Sequence, residues 1–148
     1  MPAAPLLVAP APFRGTLRAP QVAAALARGL EAGGWAVDRC PIADGGVGTL
    51  EVLLPALGGE TAAVRVGGRD VGIGLIEDGG TAIVELAAVL GDAGDDTAQS
   101  SAAAGELLLA AAETGADVLL VGAGDVTVAD GGAGAVEAIA AAGGLRPR

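Results

Sequence analysis

The sequence has no histidine, no lysine and no tyrosine, and only one residue each of cysteine, methionine, tryptophan and phenylalanine. Without lysine it cannot form a Walker A phosphate loop, and without histidine it lacks the commonest general base. Cys40 stands alone and cannot close an internal disulfide; in an apolar stretch it is expected to be an inert core thiol. The N-terminus has no charged segment followed by an apolar one of the secretory kind, so a cytoplasmic location is expected. Glycines and charges interrupt every apolar run well before the roughly 20 residues of a membrane span, so no membrane partner is expected. Basic side chains are scarce: eight arginines stand against eighteen acidic residues, for a net charge of -10. A nucleic-acid partner is excluded on that ground, because its phosphates need a basic patch.

What is present is aliphatic. Hydrophobic residues make up 52% of the 148, aromatics only 1%, and there are 26 glycines. A core built from Val, Leu, Ile and Ala must pack by close backbone approach, as in wound α/β layers. A chain of this size buries about 68% of its unfolded surface, enough for one ordinary domain.

Leu6-Leu7-Val8-Ala9 reads as a buried first strand ending at Pro10. A helix is expected from Pro20, carrying Val22, Leu26 and Leu30 at helical spacing up to Gly33-Gly34, with a second strand from Trp35 to Cys40. A glycine-rich loop, Asp44-Gly45-Gly46-Val47-Gly48-Thr49, then leads into a helix with Val52, Leu53 and Leu57, for which Thr49 is the expected cap. From Glu60 to Glu85 the texture changes to three short strands separated by Gly67-Gly68 and Asp78-Gly79-Gly80, the chemistry of hairpin turns. Ser100 or Ser101 starts a helix with Leu107 to Leu109, Val118 to Val121 is a further strand, and a second glycine-rich loop precedes an alanine-rich helix that ends at Gly143-Gly144. The expected fold is α/β: a Rossmann-like, mostly parallel sheet with flanking helices and a short antiparallel segment. It is read as one region, 1–148, in which αβ units at 1–58 and 92–148 flank the β segment at 60–85.

Ligands of open α/β sheets bind where strand ends meet helix N-termini. Three loops take that position. In the first, Arg14 and Gly15 follow strand one, and a guanidinium there can fork onto phosphate or carboxylate, or simply be solvated. The second offers Asp44, the backbone of Gly45, Gly46 and Gly48, and the Thr49 hydroxyl; it is either an anion site or a tight strand-to-helix turn. The third, Asp130-Gly131-Gly132-Ala133-Gly134, repeats its pattern. Glu85, ending a strand, either faces a site or is solvated. Asp92, Asp95 and Asp96 are acidic neighbours without the spacing of a calcium loop, and no metal ligands are assigned.

These loops resemble the bacterial glycerate kinase family. Its opening pattern, like A-P-D-S-F-K-G-S-L, stands here as Ala9-Pro10-Ala11-Pro12-Phe13-Arg14-Gly15-Thr16-Leu17. Its P-x-A-D-G-G-E-G-T signature is similar to Pro41-Ile42-Ala43-Asp44-Gly45-Gly46-Val47-Gly48-Thr49, with valine in place of the glutamate. A segment like T-T-Y-G-T-G-E-L corresponds to Ser100 through Leu107, and a loop like G-G-S-A-T-N-D-G-G-A-G to Gly124 through Gly134, with Val126 and Ala129 replacing its Ser and Asn. The resemblance implies transfer of the γ-phosphoryl group of ATP to glycerate, with Mg2+. It implies Asp44 and Asp130 as catalytic residues, and Arg14, Gly15, Gly45, Gly46, Gly48, Thr49, Glu85, Gly131 and Gly132 as substrate- or nucleotide-binding residues. The aliphatic replacements leave a second reading open, a non-catalytic relative that binds a small anion or a partner. Association with itself or with a second chain that completes the fold is expected on either reading.

Overall fold

Leu6–Val8 forms β1, which pairs in parallel with β2, Val37–Arg39, in a register that sets Leu6 against Val37 and Val8 against Arg39. The computed structural model describes residues 4–13, 15–91 and 100–145, and the chain divides into two compact units, Met1–Asp44 and Gly45–Arg148. In the first unit α1, Ala19–Ala32, connects the two strands. Pro20 sits in its first turn, where the missing N–H costs nothing. The Arg18 N–H donates to the Gln21 side chain at 2.9 Å, one half of a capping box. The buried residues of α1 are Ala19, Val22, Ala23 and Ala27, and Leu26 is 49% exposed. The expected face through Leu26 and Leu30 is therefore rotated by about one residue: small side chains let the helix axis approach the strands.

Two further expectations for this unit are corrected. Strand β1 is buried only at Val8, with Leu6 and Leu7 exposed, because a two-stranded pair has little sheet with which to cover both of its faces. Cys40 donates its N–H to the Val8 carbonyl at 2.8 Å, extending the ladder beyond β2, but the residue is exposed and not part of a core.

The second unit holds β3 (Glu60–Val66), β4 (Arg69–Ile76), β5 (Thr81–Glu85) and β6 (Val118–Gly122), in that spatial order. The first three are antiparallel, with turns at Gly67-Gly68 and at the 3-10 turn Glu77–Gly79; β6 lies parallel to β5. Helix α2 is Thr49–Leu57, α3 is Ala87–Leu90, α4 is Ala102–Ala112 and α5 is Ala133–Ala141. The α/β class and flanking helices expected from the sequence are what the chain adopts.

Alternation along the strands sorts the faces. Val71, Ile73, Ala82 and Val84 enter a core with Val89, Leu90, Ala104, Leu107 and Ala111 from α3 and α4. Gly74 and Ile83 point the other way, where a Cβ added to Gly74 would come within 2.7 Å of Leu54 and 2.9 Å of Leu50 on α2. Helices thus cover both faces. Helix α5 packs on α4 through Gly105, where a Cβ would stand 2.5 Å from the Ala135 carbonyl oxygen. With few large side chains available, glycine at the crossing replaces knobs and holes by backbone contact.

Candidate functional site: two glycine loops beside helix N-termini

The second unit gathers most of the candidate residues at the carboxyl ends of β5 and β6. Residues 81, 83 and 85 share one face of β5, so Glu85 faces α2 as Ile83 does. Its carboxylate Oε1 accepts the Leu50 N–H at 2.7 Å, closing one of the open donors in the first turn of α2. Thr49 is not the cap that the sequence suggests. It is the first helical residue; the cap position is Gly48, at φ 97°, a left-handed conformation that suits glycine. The Thr49 hydroxyl is buried and donates back to the Gly46 carbonyl at 2.8 Å, tightening the loop from inside.

This loop is braced against the segment after β6. The Gly124 N–H donates to the Gly45 carbonyl at 2.9 Å. A Cβ on Gly122 would approach the Gly45 oxygen to 2.6 Å, and one on Gly124 the Gly46 nitrogen to 2.5 Å. The two glycine segments therefore run in direct backbone contact, which side chains would prevent.

The second Asp-Gly-Gly loop is built differently. Asp130 accepts from the Ser101 N–H and Ser101 hydroxyl, both at 2.8 Å to Oδ2, from Gly134 N–H at 3.1 Å, and through Oδ1 from Gly132 N–H at 3.0 Å. The Ser101 hydroxyl in turn accepts the Ala135 N–H at 2.9 Å. Ser101 is buried, and its position beside Asp130 holds the starts of α4 and α5 together. Hydrogen bonds from Ser101, backbone first and hydroxyl second, lower the Asp130 carboxyl from 3.8 to about 2, outweighing a partial loss of solvation, with Gly132 and Gly134 adding to the effect. Cap residue Gly132 has φ 87°, the counterpart of Gly48.

Asp130 caps its own helix, the Leu50 N–H of α2 is taken by Glu85, 35 residues away, and Asp44 is exposed at the head of the first loop. Gly131 and Gly132 face open space, where an added Cβ would meet nothing within 4 Å. In the first unit, Gly15 lies in the tight Phe13–Leu17 turn after β1 at φ 72°. Arg14 and the acidic residues Asp92, Asp95 and Asp96 lie outside the described residues. Among the described residues no group of three or more His, Cys, Asp or Glu could hold a metal ion, and no helix is long and apolar enough to cross a membrane. In the sequence Ser101 reads as a helix start and as part of the family-like segment Ser100 through Leu107; its pairing with Asp130 spans 29 residues and has no local signal.

The model of the glycerate kinase family matches residues 6–143. The chain belongs to the glycerate kinase family. It is 33% identical over 147 residues to a glycerate kinase of Bacillus subtilis (strain 168), covering 90% of this chain and 38% of that protein. It is 34% identical over 149 residues to a glycerate 2-kinase of Escherichia coli (strain K12), covering 92% and 39%. A crystal structure of a protein assigned as glycerate kinase 2 from Salmonella typhimurium LT2 is similar with a TM-score of 0.66 and 32% identity, covering 93% of this chain and 40% of that one. The chain spans about two fifths of the length of these relatives.

The departures from the family pattern have structural addresses. Val126, in place of a serine, is packed against the α4 core, as is Val128, while Val47, in place of a glutamate, is 50% exposed on the first loop.

Proposed function

We propose that this chain serves ATP-dependent phosphoryl transfer to glycerate, with Asp44 as the residue that orients the acceptor hydroxyl and takes its proton. The observation that carries this reading is the family match over residues 6–143, in which Asp44 stands, exposed, within the P-x-A-D-G-G-x-G-T pattern of Pro41–Thr49. In the transfer, the hydroxyl oxygen of glycerate bonds to the γ-phosphorus, the bond from that phosphorus to the bridging oxygen of ADP breaks, and the hydroxyl proton passes to the Asp44 carboxylate. Gly45, Gly46, Gly48 and Thr49, with the open outer side of Gly131 and Gly132, line the phosphate chain; Arg14 and Gly15 meet the carboxylate or a phosphate. Asp130 and Glu85 act by holding those loops in shape. Magnesium is assigned to the nucleotide phosphates, since it keeps several waters and needs only one or two protein carboxylates.

Purified chain given ATP, Mg2+ and glycerate should release ADP in proportion to glycerate, and Asp44→Asn should lower the rate by about 100-fold or more. A second reading, an anion-binding relative without turnover, is favoured by the aliphatic Ala11, Val47, Val126 and Ala129. ATP binding by calorimetry with no glycerate-dependent ADP would select it. Association with a second copy or chain is favoured by the outer strand β6, whose Val118 and Leu120 are exposed; sedimentation of the purified chain tests it.

A further inference from the structure

We infer that Ser101 is a positioning residue for the Asp130–Gly134 loop: its hydroxyl sets the geometry in which that loop meets an anion. The inference rests on the nucleotide reading above for the presence of an anion at this loop. The early donors of α5 have partners inside the protein. Gly132 and Gly134 give their N–H groups to Asp130, Ala133 gives its own to the Asp130 carbonyl at 3.1 Å, and Ala135 gives its own to the Ser101 hydroxyl. Phosphate therefore cannot sit on the bare end of this helix as it does in a simple N-terminal anion site.

What stays open is the outer side of Gly131 and Gly132, with space on that side. The direction in which those peptides point follows from the carboxylate behind them, and the carboxylate is held by Ser101 from the start of another helix through two donors. The Ser101 side chain bonds at once to Asp130 and to a backbone N–H of α5. Its hydroxyl proton goes to Asp130 and its lone pair to Ala135, so the donor and acceptor roles are both fixed. Removing the oxygen strips Ala135 of its acceptor and Asp130 of one donor, while the backbone bond from residue 101 to Asp130 survives. Loosening should therefore be local to the start of α5.

The test uses the full chain, amide hydrogen exchange and ATP titration. In Ser101→Ala the Gly134 and Ala135 amides should exchange about tenfold faster or more, with sheet amides at Ile83 and Val84 unchanged as the check on folding. The dissociation constant for ATP should rise about fivefold or more, and Ser101→Thr, which keeps the hydroxyl, should restore both. Loop amides that exchange at the original rate in Ser101→Ala overturn the inference, as does a loosened loop with ATP affinity unchanged. If the original chain takes up no ATP while Ser101→Ala still loosens the loop, the positioning of the loop stands and the nucleotide reading fails.

Discussion

Asp130 and Asp44 occupy the same place in two similar motifs; Asp44 is exposed, and Asp130 is half-buried against the start of α4. Asp130 titrates at about 2 when folded, against 3.8 for the ordinary group, because four donors favour its charged form. A carboxyl depressed on folding adds stability that is complete above the unfolded value and lost as pH falls through the folded one. The clasp between α4 and α5 should therefore persist at pH 4 and open between about 3.8 and about 2. Amide shifts of Gly132 and Gly134 followed by NMR check this; a transition centred above 3.8 would count against it. Glu85→Ala, by contrast, removes the acceptor of Leu50 N–H and should destabilise the fold by about 1–2 kcal/mol, the range of a lost helix cap. Denaturant unfolding reads it, and an unchanged midpoint would mean that solvent replaces the carboxylate.

At the scale of elements, local signals are legible in the sequence and long-range ones are not. Gly67-Gly68 and the turn before Thr81 mark the antiparallel segment, because alternating aliphatics between turn residues admit little else. Strand β6, a continuous aliphatic run after a turn, and helix α5, alanine-rich and bounded by glycines, are readable from local signals as well. The buried face of α1 is hidden because alanines carry its packing, and alanine gives a weak periodic signal against leucine. Thr49 has the chemistry of a cap in the right place along the chain, but the actual acceptor for α2 comes from β5. Ser101 and Asp130 are another such pair, joined only when α4 and α5 pack. Close packing there yields a direct prediction. Gly105→Ala should gain about 0.8–1 kcal/mol in helix propensity yet lower stability by about 1–3 kcal/mol overall, since its Cβ would meet the Ala135 carbonyl at 2.5 Å. A raised unfolding midpoint would show that α5 can shift aside.

For the whole molecule, family and function are legible to different degrees. The P-x-A-D-G-G-x-G-T signature at Pro41–Thr49 is enough to indicate the glycerate kinases, and the family's model matches residues 6–143. The partners of Asp130 require the structure, since Asp44 and Asp130 are indistinguishable as letters. The frame of the second unit is an aliphatic sheet with helices on both faces, and it keeps both glycine loops in defined backbone contacts even where Val126 and Val47 have replaced polar family residues. Within about two fifths of the relatives' length the chain holds two glycine loops, one tied to Glu85 and one to Asp130. Glycerate-dependent ADP release by the purified chain, with Asp44→Asn beside it, tests this most directly. Turnover that rises with glycerate and falls about 100-fold or more in the variant is the expected result; ADP release that is independent of glycerate, or equal in the two proteins, would contradict it.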